Sequence, residues 1–73
     1  MEQLKELLER MYPEIDFENE KNLMGSGILD SVAVVTIIAE IEEMFDISVT
    51  MEYIQPAYFE SVETMWEMVE ELL

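Results

Sequence analysis

The spacing of apolar residues constrains this chain most, because it runs at the helical period three times and at the strand period only once, briefly. Leu4, Leu7, Leu8 and Met11 fall at i, i+3, i+4 and i+7, the stripe of an amphipathic helix, with Glu2, Lys5, Glu6, Glu9 and Arg10 on the other face. Pro13 biases its predecessor away from helical backbone, so this helix is expected to end near Tyr12. Val34, Ile37, Ile38, Ile41 and Phe45 make a second stripe, expected to run from Asp30-Ser31 to Phe45-Asp46. Asp30 opens it as an N-cap, its carboxylate able to accept from the free N–H groups of the first turn. Val32, Ala33, Val35, Ala39 and Met44 widen the apolar face, and a face this broad either sits centrally or is shown to a partner. Val62, Met65, Trp66, Val69, Leu72 and Leu73 make the third stripe, opened by Ser61 as N-cap with Glu63 near the positive helix end.

Residues 13–30 carry no period. Gly25 and Gly27 flank Ser26, and Asp16, Asn19 and Asn22 are turn formers. A loop this long is usually functional or pinned by its own apolar residues, here Ile15, Phe17, Leu23, Ile28 and Leu29. Ile47, Val49, Met51 and Tyr53 alternate as a strand would, but one strand has nothing to pair with. The expectation is an extended loop with inward apolar residues, then a short helix near 52–55 limited by Pro56. The predicted fold is all-α: a small antiparallel four-helix bundle of three main helices plus a short third one, forming a single domain over residues 1–73.

Composition then removes whole classes of function. The 73 residues hold no Cys and no His, which excludes disulfides, Cys/His zinc sites, haem ligation, and the Ser-His-Asp and Cys-His triads. A hydrophobic fraction of 51% is too high for a disordered acidic tail, so stability has to come from packing. Eighteen Asp+Glu against three Lys+Arg give a net charge of −15. Nucleic acid is excluded as an electrostatic partner, since counterion release needs Lys and Arg, and anionic membrane surfaces are disfavoured likewise. Basic protein patches and divalent cations are the natural counterparts. Self-repulsion should lower stability at low salt, because a chain of about 11 Å radius is comparable with the Debye length of about 8 Å. The first turn shows no basic, signal-like region, and the longest uncharged stretch, Ser31 to Ala39, is half a membrane span. A cytoplasmic monomer is expected.

The acidic residues do not form a recognisable site. Read as a calcium loop from Asp16, the chain has Lys21 at the sixth position and Gly27 at the twelfth, where the geometry demands Gly and Glu. Glu42-Glu43 and Glu70-Glu71 read as solvated helix faces, since a working acid needs burial. Met11, Met65 and Met68 fall on core stripes, which leaves Met24, Met44 and Met51 as candidate contacts. Ser31 stands apart. A serine there is most simply a first-turn residue, but it follows the Gly25-Ser26-Gly27-Ile28-Leu29-Asp30 run and opens the most apolar helix. A helix N-terminus with a free hydroxyl is suited to carry a phosphodiester, the unpaired N–H groups and the dipole favouring the added anion. A chain without a reactive side chain could acquire a reactive group by esterification.

At these residues the sequence resembles the phosphopantetheine-bearing acyl carrier proteins. Gly27-Ile28-Leu29-Asp30-Ser31 is similar to the family's attachment motif. Val32-Ala33-Val34-Val35-Thr36-Ile37-Ile38 and Ile41-Glu42-Glu43-Met44-Phe45-Asp46-Ile47 resemble its second helix and that helix's Phe-Asp end. Val49 matches the apolar residue before the short third helix, and Phe59-Glu60-Ser61-Val62 the start of the fourth. The likeness runs from about residue 23 onward, and the first helix matches in length and stripe. It implies a 4′-phosphopantetheine covalently attached to Ser31, holding an acyl or aminoacyl group as a thioester, on a chain that is not itself an enzyme. The implied partners are a phosphopantetheinyl transferase, a cargo-loading ligase or acyltransferase, and downstream acyl-processing enzymes.

Gly27, four residues before Ser31, and the run from Phe45 to Ser61 look closest to the stand-alone D-alanyl carriers. Fatty-acid carriers usually have acids where this chain has Ala33 and Thr36. Asp30 is expected to cap the helix and to orient the transferase or its metal. Val32, Val35, Ala39, Val49 and Met51 are the expected apolar partner contacts, with Glu42 and Glu43 as polar ones. The rival reading is an acidic helical interaction module without a prosthetic group, whose apolar second helix binds a partner helix. An acidic metal buffer is a third.

Overall fold

The computed structural model describes residues 2–73. Its elements are α1 (Glu2–Met11), α2 (Ser31–Phe45), two 3-10 turns, η1 (Met51–Tyr53) and η2 (Pro56–Phe59), and α3 (Val62–Leu72). No strand occurs among the described residues, so the fold is all-α as the periodicity requires. The Cα radius of gyration is 11.0 Å, the value expected of a chain this long once packed.

Each helix end has a local cause. Glu2 lies in the first turn of α1 and Arg10 in its last, both favourable to the helix dipole. The Tyr12 N–H still reaches the Leu8 carbonyl at 2.9 Å, and Pro13 lets the ladder go no further. Asp30 caps α2 through a 2.8 Å bond from the Ala33 N–H to its Oδ1. At the far end Asp46 turns left-handed, φ 54°. In α3, Ser61 Oγ accepts from the Thr64 N–H while Thr64 Oγ1 accepts from the Ser61 N–H, at 3.2 and 3.1 Å. This reciprocal capping box satisfies two groups that the helix start would otherwise leave bare.

The three stripes converge on one core. Leu4, Leu7 and Leu8 of α1 meet Val34, Ile37, Ile38 and Ile41 of α2 and Val62, Met65, Met68 and Val69 of α3. Phe45 and Trp66, both half-buried, meet edge to face with ring centroids 5.8 Å apart, a geometry that the ring quadrupoles favour. Leu73, placed on the α3 stripe by spacing, is exposed. Such large-area burial of aliphatic side chains is what a small chain without disulfides depends on.

The long loop is pinned by fewer residues than expected. Phe17, Leu23 and Leu29 are buried, Ile15 is half-buried, and Ile28 faces solvent. The Leu23 N–H donates to the Glu60 carbonyl at 2.9 Å, tying the loop to the start of α3, and the Leu29 N–H returns to the Leu23 carbonyl at 3.0 Å. Between them Gly27 adopts φ 83°, which a side chain would strain. These turns lead the chain to Asp30 and Ser31 at the start of α2.

The segment after α2 differs from expectation. Instead of one short helix near 52–55 there are two 3-10 turns, with Pro56 starting the second. Proline's fixed φ suits a first helical position and its missing N–H is one the turn does not need. Tyr53 and Tyr58 brace the two turns edge to face at 5.3 Å.

Candidate functional site

Ser31 is the first residue of α2 and is exposed, as are Gly25 to Ile28 before it. The glycine turn does not cover the hydroxyl. Among the first-turn N–H groups, that of Ala33 is taken by the Asp30 carboxylate and that of Val34 by the Asp30 carbonyl. The N–H groups of Ser31 and Val32 are left at the open, electropositive end of the helix. The Asp30 carboxylate thus fixes the helix start beside the hydroxyl.

Ser31 also borders a cleft of ≈ 160 Å³, whose other lining residues are Met24, Val34, Val35, Ile54, Gln55 and Phe59. All but Ser31 and Gln55 are apolar. The loop supplies Met24, α2 supplies Val34 and Val35, and Ile54 and Gln55 between the two 3-10 turns, with Phe59 at the end of the second, supply the rest, so that three separate segments border the cleft. Val32, Val35 and Thr36 line a shallower depression on the outer side of the same residue.

The expected partner contacts divide. Val32, Val35 and Met51 project into solvent at 73%, 63% and 86% exposure. Ala39 and Glu43 are exposed too. Val49 is not available: it is 9% exposed and belongs to the core, because the segment after Asp46 turns Val49 inward and Met51 outward. Glu42 is half-buried, and its Oε2 accepts from the Val49 N–H at 2.7 Å. Its carboxylate holds the chain's own backbone where a partner contact was expected. Of the candidate methionines, Met51 is open, Met44 is 39% exposed and Met24 is a wall of the cleft.

Among the described residues, two titrating groups are displaced from their ordinary ranges, neither at the serine. The Tyr53 phenol is raised, by burial first and then by the Glu71 and Glu52 carboxylates, which disfavour a phenolate. Glu63 is lowered, chiefly by the hydrogen bond from Lys21, whose Nζ stands 2.7 Å away. Sequence reasoning missed Ile54, Gln55 and Phe59 as neighbours of Ser31. No periodic signal joins them to it, and only Pro56, in the midst of them, hinted at a fixed turn.

The residues around Ser31 fit a 4′-phosphopantetheine in three respects: Ser31 is exposed, the N–H groups of Ser31 and Val32 are free at the same helix end, and an apolar cleft begins at the same residue. A family model described as phosphopantetheine attachment site matches residues 1–58, a span that includes α1 and stops before α3. No curated protein and no solved structure matches the chain.

Proposed function

We propose, since this chain belongs to the phosphopantetheine attachment-site family, that Ser31 is the residue carrying its 4′-phosphopantetheine and that residues 1–73 act as one carrier domain. The observation that supports this most is the exposure of Ser31 at the open end of α2 beside an apolar cleft. The group would supply a terminal thiol able to hold acyl groups as thioesters, chemistry absent from a chain without Cys. Ser31 contributes the oxygen of the phosphodiester and gives up its proton, as the pyrophosphate bond of coenzyme A breaks and adenosine 3′,5′-bisphosphate leaves. The N–H groups of Ser31 and Val32 stabilise the phosphate charge. Asp30 keeps the helix start fixed, and the chain catalyses nothing itself.

The cargo reading is an aminoacyl or specialised acyl group, with a D-alanyl-type carrier as the nearest likeness. The Gly27-to-Ser31 spacing and the uncharged Ala33 and Thr36 support it. Val32, Val35, Ala39, Met51 and Glu43 would meet the transferase and the loading and processing enzymes. Such contacts are small and weak, as suits a carrier that has to leave each partner quickly.

The test is intact mass after incubation with coenzyme A and a broad-specificity phosphopantetheinyl transferase. A gain of one phosphopantetheine in the parent chain and none in Ser31→Ala is expected. No gain, or a gain that persists in Ser31→Ala, contradicts the proposal. An interaction module without a prosthetic group would give the first of these and would bind its partner equally well with Ser31→Ala.

A further inference from the structure

The chain holds seven methionines and no cysteine, so before any prosthetic group is attached its oxidisable sulfur is all thioether. The described methionines span the full range of exposure. Met65 and Met68 are at 0%, Met11 and Met24 are half-buried, Met44 is at 39% and Met51 at 86%. Met51 begins η1, a turn in which no residue is buried. The turn is held by its backbone: the Tyr53 N–H reaches the Thr50 carbonyl at 3.0 Å and the Ile54 N–H the Met51 carbonyl at 3.1 Å. The Met51 side chain therefore supports neither the core nor the turn, and its sulfur can become polar without loss to the fold. At Met65 or Met68 the same change would bury a polar S–O group among aliphatic side chains, and an oxidant reaches those sulfurs only through unfolding.

We propose that Met51 is a reversible oxidation site, at which a peroxide converts the thioether to the sulfoxide in the folded chain and thereby weakens docking of the loading transferase. One peroxide oxygen passes to sulfur: the O–O bond breaks, an S–O bond forms and water leaves. Sulfur gives up two electrons and the peroxide takes them. A thiol-dependent sulfoxide reductase reverses the step, two thiols becoming a disulfide as the oxygen leaves in water. Oxidation replaces a flexible apolar side chain with a polar, hydrated one. The site stands on exposure alone, whereas its effect on docking rests on the reading above that Met51 meets the transferase. That effect falls on the encounter and not on the serine. Met51 is not among the residues lining the cleft at Ser31, and the helix start is fixed by Asp30 within its own turn.

The experiment treats the unloaded, folded chain with dilute hydrogen peroxide, removes the peroxide, and maps the added oxygen by peptide mass spectrometry. Among the described methionines Met51 should be oxidised first and Met44 next, with Met65 and Met68 untouched until urea unfolds the chain. Circular dichroism and the thermal midpoint should not change at one oxygen on Met51, and methionine sulfoxide reductase with dithiothreitol should remove it. Oxygen that reaches Met44, Met24 or Met11 as fast as Met51, or a thermal midpoint that falls with the first oxygen, overturns the site. Loading with coenzyme A and the transferase is then timed before and after oxidation. The KM for the chain should rise severalfold with kcat nearly constant, the mark of a lost docking contact, and the reductase should restore it. In Met51→Leu, peroxide treatment should make no difference to KM. An unchanged KM at full Met51 oxidation, a change confined to kcat, or the same rise in Met51→Leu overturns the effect on docking and leaves the Ser31 reading standing. A chain that gains no mass from the transferase even before oxidation overturns the Ser31 reading and the effect on docking together, while the mapped oxygen still decides the site.

Discussion

At its amino end α2 commits one side chain, Asp30, to one N–H of the first turn and leaves Ser31 in solvent beside a cleft. At its carboxyl end the same helix is closed several times over. Asp46 turns left-handed, the N–H groups of Asp46 and Ile47 both reach the Glu42 carbonyl, and the Glu42 carboxylate takes the Val49 N–H. Charge divides along the same line, with no ionisable residue from Ser31 to Ala39 and three glutamates from Glu40 to Glu43. One end is closed by the chain's own hydrogen bonds and the other is left open to solvent. The contrast teaches that a small carrier can separate stability from access along fifteen residues of one helix.

The sharpest way to break this comparison is Glu42→Ala. It leaves the Val49 N–H without its acceptor in a part-buried place and should cost about 1–3 kcal/mol, read by urea denaturation. Glu42→Gln keeps an acceptor oxygen and should recover much of the loss. A neutral Glu42→Ala would mean that the carboxyl end is not the closed one. Asp30→Ala comes next, removing a single cap at a cost of about 1 kcal/mol. It should also slow loading of Ser31 in a transferase time course, because the first turn frays around the hydroxyl. A stability effect without a loading effect would detach Asp30 from the site.

A smaller change in the opposite direction is expected from Asp46→Gly. Glycine accepts φ 54° without the steric cost of a Cβ, so stability should rise by about 0.5 kcal/mol in thermal denaturation, with loading unchanged. The smallest effect concerns Lys21 and Glu63, the pair that joins the long loop to the first turn of α3. The folded chain holds the Glu63 pKa low, so its contribution is present above the ordinary carboxylate range and is lost as pH falls through the lowered folded value. Both side chains are about half exposed, 56% and 49%, so the effect is small and screened by salt. Relief of repulsion among the carboxylates acts oppositely as pH falls. The difference between the parent chain and Lys21→Met, measured from pH 7 to pH 3, should shrink toward acid and at high salt. A constant difference would show that the pair is not coupled to folding.

Much of this was legible in the sequence where cause and effect lie close together in the chain. Asp30, the α2 stripe and Ser61 are local signals, and the helices begin where they say. The spacing of Gly27, Asp30 and Ser31 is local too, and it singles out a serine that the fold leaves exposed. Val49 and Glu42 differ from expectation because the chain leaves extended backbone for a 3-10 turn at Met51, so that Val49 and Met51 do not share a side as alternation implies, and because Glu42 finds its partner in a backbone N–H seven residues away. The cleft was invisible for a related reason: Met24, Val35 and Gln55 come from three segments that only tertiary packing unites. The paired 3-10 turns could not be told from one short helix, since local propensity around Pro56 admits either.

The central claim, that a single hydroxyl carries the prosthetic group, is tested most directly by fragmenting the transferase-loaded chain in a mass spectrometer and locating the added mass. The account predicts that all of it lies on residue 31 and none on Ser26, Ser48 or Ser61. Added mass on any other residue, or no added mass at all, would contradict it.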